Sequence, residues 1–257
     1  MSLFRTAETA SSVLATFARM GRGIYTRPAA EKPERLLELY EFEGCPFCRL
    51  VREALTELDL DAMVYPCPKG GTRFRPFVVE TGGKAQFPFL VDPNTGRQLY
   101  ESGDIIAYLF ETYGRRPLPF AWRTRALNTL SSSFATVYRG GAGSRVKPST
   151  APAEPLELYS IESSPFARLV RETLCELEIP YRLRSMGRTQ LKESLPPPLR
   201  ERFHVAVEAE TDNRRALMAR TGRVMVPYLV DPNTGTELFE SEAIRRYLRE
   251  TYGARRA

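Results

Sequence analysis

The sequence has few of the side chains that hold metals or staple secreted domains. It carries one histidine and four cysteines in 257 residues. Beyond Cys45 and Cys48, only Cys67, Cys175 and His204 could add soft ligands, so a zinc site would lack its second pair. So few cysteines, with no leader-like start, fit a reducing compartment, the cytoplasm, rather than a disulfide-stapled domain. No apolar run approaches the ~18 residues of a transmembrane segment. Lysine is also scarce, with five lysines against 32 arginines and a net charge of +6. The arginines are dispersed, without a basic arm or nucleic-acid motif. They imply a solvated basic surface with some anion-binding arginines, and no nucleic-acid partner.

What is present is organised around Cys45, Pro46, Phe47 and Cys48, which close an apolar strand (Leu37, Leu39, Tyr40, Phe42) and open a helix. Phe47, Leu50, Val51, Ala54, Leu55 and Leu58 fall at helical spacing on one face, so the amphipathic helix begins at the cysteines. Cys45 then sits where unpaired N–H groups and the helix dipole stabilise a thiolate, with Cys48 one turn further in. These positions mark Cys45 as the reactive thiol and Cys48 as the resolving one. Half of a zinc site and a structural disulfide are the competing readings of C-x-x-C; the strand-before, helix-after context puts redox or glutathione binding ahead.

The chain is also duplicated. LELYEFEGCPFCRLVREAL from Leu37 recurs as LELYSIESSPFARLVRETL from Leu156, an offset of 119, and FPFLVDPNTG from Phe87 recurs as VPYLVDPNTG from Val226, an offset of 139. The second copy thus carries an insertion of 20 residues between these blocks. Residues 1–30 have the Arg, Ser and Ala content of a transit peptide, yet Ser11, Ser12, Ala15, Thr16 and Arg19 recur at an offset of 120 in mid-chain, which favours a structural helix and linker. The expected division is a helix and linker over 1–35, a first domain over 36–114, a connecting helix and linker over 115–155, and a second domain over 156–253. Within the first domain the pattern predicts strand 37–42, helix 46–58, strand 61–65, a short helix near 76–80, strands 88–91 and 98–100 about the Asp92–Gly96 turn, and helix 103–113. That is an α/β domain: a parallel βαβ unit joined to an antiparallel hairpin.

The C-P-F-C start, a proline opening the third strand (Pro88, Pro227) and Glu-Ser at the last helix (Glu101 and Ser102, Glu240 and Ser241) make the chain resemble glutaredoxins and the N-terminal domain of glutathione S-transferases. The resemblance implies two tandem thioredoxin-like domains, with a cis bond before each proline and glutathione as cofactor. It places glutathione on Phe47, Phe87, Pro88, Glu101 and Ser102, the Phe87 main chain facing the cysteinyl backbone and the Glu-Ser pair holding the γ-glutamyl end. A possible second glutathione site is Ser164, Val226, Pro227, Glu240 and Ser241. There the thiols are gone, since Ser164 stands for Cys45 and Ala167 for Cys48. Ser164 is then either a serine-type partner for a bound thiolate or a plain helix cap.

Glutaredoxins usually carry a lysine just before the C-x-x-C, where this chain has Glu41 and Glu43, which oppose a thiolate. Lys84, Arg73 and Arg75 are candidates for the missing cation. Cys67 is a loop cysteine or a third redox thiol, Cys175 a buried inert one, and His204 lacks a partner acid or nucleophile. The resemblance implies a glutathione-dependent thiol-disulfide oxidoreductase acting on disulfide or glutathionylated substrates. The alternatives are a transferase or isomerase of the prostaglandin E synthase type 2 kind, against which only four residues follow Gly253, and a non-catalytic glutathione-binding module.

Overall fold

A computed structural model describes residues 12, 22–124, 128–130, 132–133, 141–194, 202 and 208–254. Most of the helix expected ahead of each copy, and His204, lie outside the described residues. The first copy runs β1 (Leu37–Glu41), α1 (Pro46–Leu58), β2 (Ala62–Pro66), α2 (Arg75–Gly82), β3 (Phe89–Asp92), β4 (Arg97–Leu99) and α3 (Ser102–Thr112). The second runs β5 (Leu156–Ser160), α4 (Pro165–Glu176), β6 (Tyr181–Ser185), α5 (Asp212–Thr221), β7 (Tyr228–Asp231), β8 (Thr236–Phe239) and α6 (Ser241–Tyr252), with a 3-10 turn at Leu191–Ser194. Helix α1 starts where Pro46, having no N–H to orphan, follows the extended Cys45, and it stops at Asp59, whose left-handed φ of 52° returns its N–H to the Leu55 and Thr56 carbonyls.

In each copy the first two strands are parallel and the third and fourth antiparallel, the thioredoxin-like arrangement expected. Strand alternation sends Leu37 and Leu39 to one face, where Leu50, Val51 and Leu55 of α1 and Ile105 and Leu109 of α3 close over them. Tyr40 and Phe89 pack with Val78 of α2 in a separate cluster. The copies do not stay separate. Strand β2 pairs antiparallel with β6 (Ala62 with Leu183, Val64 with Tyr181), giving one eight-stranded sheet ordered β4-β3-β1-β2-β6-β5-β7-β8. Neither inner strand is left as an open edge.

The expectation of a solvated basic surface is corrected at this junction. Arg49, Arg52, Arg168 and Arg171 are among the largest fully buried side chains, on the α1 and α4 faces that amphipathicity assigns to water. Arg52 meets Glu162 of the other copy at 2.9 Å and Glu43 at 3.0 Å, and Arg171 meets Glu43 of the other copy at 3.1 Å and Glu162 at 3.0 Å. Residues 52 and 171, like 43 and 162, are related by the repeat offset, so the contact is reciprocal. Two polar helix faces have found each other instead of solvent.

The repeated D-P-N-T-G turn fastens the hairpin to the last helix. Asp92 Oδ2 accepts hydrogen bonds from the Tyr108 and Tyr113 hydroxyls at 2.6 and 2.5 Å, and Oδ1 accepts from the Asn94 N–H at 2.8 Å. Asp231 does the same with Tyr247, Tyr252 and Asn233. Although burial acts against it, the two hydroxyls and Asn94 hold the Asp92 carboxyl below its ordinary value. Asp92→Asn is expected to lower stability by about 3 kcal/mol at neutral pH, the scale of two hydrogen bonds to a charged acceptor. Because the native value is depressed, this contribution is complete above the unfolded carboxylate value of about 3.9 and is lost as pH falls through the lower native one. Urea unfolding of both proteins should therefore show the gap closing in acid. A gap that persists in strong acid refutes the ionic origin.

Candidate functional site

Cys45 occupies the N-cap of α1, its backbone extended and its Sγ accepting from the Cys48 N–H at 3.4 Å. Both thiols are free and buried. The Cys48 thiol hydrogen-bonded to it, then the N–H groups of Cys48 and Phe47 and the field of Arg52, hold the Cys45 thiol below its ordinary value, against the opposing effect of burial. Cys48 moves the other way. Burial, the hydrogen bond to Cys45 and the nearby Cys45 and Glu41 charges push it well up. The cation acting on Cys45 is thus Arg52, none of the three candidates read from the sequence. Arg73 instead donates to the Leu177, Glu178 and Ser149 carbonyls, Lys84 lies over the Tyr100 ring at 4.5 Å, and Arg75 stacks on Phe87 at 4.7 Å.

Glu41 and Glu43 oppose the thiolate less than their sequence position suggests. Glu43 is shared by Arg52 and Arg171, and burial pushes the Glu41 carboxyl up to about 8 although Arg52 pulls it down. Arg171, Arg52 and Arg49 together overcome burial to hold Glu162 down at about 2. A sequence signal for this network exists: R-L-V-R and the glutamate before it recur at the same offset in both copies. Periodicity alone assigns those positions to solvent.

The other predicted site residues gather near Cys45. The Cys45 N–H donates to the Phe42 carbonyl at 3.0 Å, and the Phe42 ring meets Phe87 edge-on at 6.1 Å, the residue whose bond to Pro88 is cis. Gln86 donates its side-chain amide to the Glu101 carboxylate, joining the proline loop to the start of α3, where Ser102 is buried. Glu101 holds a φ of 62°, which a side chain tolerates only when its surroundings impose it. Phe47 is half exposed at the mouth of the helix start. The second copy repeats this frame: Ser164 caps α4 by accepting from Ala167 at 3.2 Å, Val226–Pro227 is cis, Glu240 has a φ of 67°, and Ser241 is buried. Cys67 and Cys175 are buried and their thiols pushed up by burial.

Other segments contact the residues on either side of Cys45. The Gly44 N–H reaches the Gly143 carbonyl at 3.4 Å, and a Cβ on Gly44 would meet Ser144 Oγ at 1.9 Å, so a side chain here would displace the Ser144 hydroxyl. Ser132 Oγ donates to the Pro46 carbonyl at 2.7 Å. Cys45 is left 3% exposed. Among the described residues no cluster of three or more metal-ligating side chains occurs, and no helix is long and apolar enough to cross a membrane. Alkylation with iodoacetamide, followed by peptide mass mapping across pH, should find Cys45 modified first, with a midpoint below the ordinary thiol value. Cys48, Cys67 and Cys175 should follow only in alkali. Faster labelling of Cys48 than of Cys45 overturns the assignment.

No curated protein sequence matches the chain. Among solved structures, a trimeric glutathione transferase, TDR1 of Leishmania, is similar to it at 12% identity and a TM-score of 0.28, over 87% of this chain and 68% of that one. The glutathione S-transferase N-terminal domain matches residues 39–117 and again 158–256. With both matches together spanning more than half of its length, the chain belongs to the glutathione S-transferase N-terminal-domain family, which it contains in two copies.

Proposed function

We propose that the first copy is a glutathione-dependent thiol-disulfide oxidoreductase. The observation that carries this reading is the placement of the two thiols, Cys45 at the N-cap of α1 with its Sγ accepting from the Cys48 N–H and Cys48 buried beside it, which lowers Cys45 and raises Cys48. The Cys45 thiolate attacks the glutathione sulfur of a glutathionylated substrate, forming a Cys45–glutathione disulfide and expelling the substrate thiolate, which takes up a proton. Cys48, on losing its proton, then attacks Cys45 Sγ to give the Cys45–Cys48 disulfide and reduced glutathione. Alternatively a second glutathione thiolate attacks the bound glutathione sulfur, giving glutathione disulfide and restoring Cys45. Either way two electrons reach the substrate disulfide.

The tripeptide is placed along Phe87 and Pro88, with its γ-glutamyl end at Glu101 and Ser102, Phe47 at the rim, and Arg75 beside Phe87 for the remaining carboxylate. The strained Glu101 backbone supports a ligand role for that corner. We place the protein in a reducing compartment, the cytoplasm, where four free thiols persist. One observation favours the alternative of a transferase, isomerase or non-catalytic glutathione-binding module: the burial of Cys45.

Turnover of a glutathione mixed disulfide separates these readings. Cys45→Ser should abolish it, whereas Cys48→Ser should retain the route through a second glutathione; equal loss in both refutes the division of roles. Glu101→Gly relieves the positive φ and should leave the melting temperature unchanged or higher while weakening glutathione at least tenfold by calorimetry. Unchanged affinity removes Glu101 from the site.

A further inference from the structure

Arg75 and Arg214 are equivalent residues at the offset of 139, each in the first turn of the helix before the proline loop, and they stand on equivalent carbonyls. Arg75 Nε donates to the Cys67 and Pro68 carbonyls at 3.2 and 2.9 Å, while Arg214 Nη1 donates to the Met186 carbonyl at 3.2 Å and lies 3.5 Å from that of Gly187. Their remaining partners differ. The Arg75 guanidinium is half-buried against Phe87, and among the described residues no carboxylate pairs with it; the connecting stretch Pro68–Phe74 contains no acid. Arg214 donates to Glu193, which comes from the insertion, and both side chains are 4% exposed. Glu193 is itself set in place: its Oε1 accepts from the Thr189 and Gln190 N–H groups at 3.0 and 3.1 Å. A buried carboxylate thus sits on the arginine whose counterpart in the first copy lies over the Phe87 ring.

We infer that Glu193 is a built-in carboxylate ligand for Arg214, closing the anion position of the second copy so that a carboxylate-bearing peptide such as glutathione enters only where Glu193 is displaced. This rests on the placement of glutathione beside Arg75 proposed above. Charge supplies the reason. A buried guanidinium needs a counter-ion, and one already tethered within the chain outcompetes a free peptide by its effective concentration. The first copy lacks that internal anion and keeps Arg75 available. The insertion therefore sets which copy binds.

The test is calorimetric titration of S-methylglutathione, which carries both carboxylates but cannot exchange disulfides, into the full chain. The wild type should bind one equivalent and Glu193→Gln two, the gained site disappearing in Glu193→Gln combined with Ser241→Ala. Glu193→Gln should also melt lower than wild type, and the ligand should return the melting temperature toward the wild-type value. If Glu193→Gln fails to fold by circular dichroism, Glu193→Asp, which keeps the charge but draws it back by one methylene, is measured in its place and should gain the second site more weakly. A folded variant that still binds one equivalent, or a wild type that already binds two, overturns the inference. A wild type that binds none refutes the first-copy reading instead, and the inference then stands only if Glu193→Gln gains a site that Ser241→Ala removes.

Discussion

Two guanidinium groups and two carboxylates, buried together where the copies meet, are what the rest of the structure depends on. Arg52 and Arg171 each touch both Glu43 and Glu162, so every charge has an opposite partner from its own copy and another from the other. Taking four such charges out of water costs several kcal/mol per ion, and only this mutual pairing offsets it. A single copy standing alone would leave its arginine and glutamate half-matched and the β2 or β6 edge unpaired. The two copies therefore complete each other's charge pairing and sheet.

That junction reaches the chemistry directly. Arg52 is the cation that acts on Cys45, and Arg52 is held by Glu162 from the copy that has lost its thiols. The segment that contacts the loop before Cys45, Gly143 and Ser144, is the linker leading into that same second copy, and the linker ahead of the first copy returns the contact, Gly23 accepting from the Ser163 N–H at 3.2 Å. A copy without the two thiols thus touches both the arginine beside Cys45 and the loop before it. Loss of Cys45 and Cys48 equivalents at Ser164 and Ala167 did not free the second copy from these contacts.

Much of this was legible in the sequence. The bounds of α1, the order of strands and the Asp92 turn follow from apolar spacing, Pro46 and the D-P-N-T-G residues, because these are local determinants that act within a few positions of themselves. The cysteines and the Glu-Ser pair could be placed on helix starts for the same reason. What could not be read was what meets a polar surface. Periodicity marks Arg49, Arg52 and Glu53 as the face away from the core, and water and a matching polar helix satisfy that pattern equally. The tyrosines on Asp92 come from 16 and 21 residues further on, and Glu193 of the insertion reaches Arg214 at a separation of 21 positions, distances at which composition carries no pairing information.

The differences between equivalent positions follow charge balance. Arg52 has a third carboxyl, Glu41, where Arg171 has the Ser160 hydroxyl at 2.8 Å. Burial pushes the Glu41 carboxyl up to about 8, against the pull of Arg52. The Cys45 charge raises Glu41 further, so the two groups disfavour each other's ionised forms beside the same arginine. In the second copy Ser164 does not change charge, and a neutral hydroxyl at 160 suffices. The carboxyl and the thiols are thus present together in the first copy and absent together from the second, so the two equivalent arginines sit in different negative surroundings.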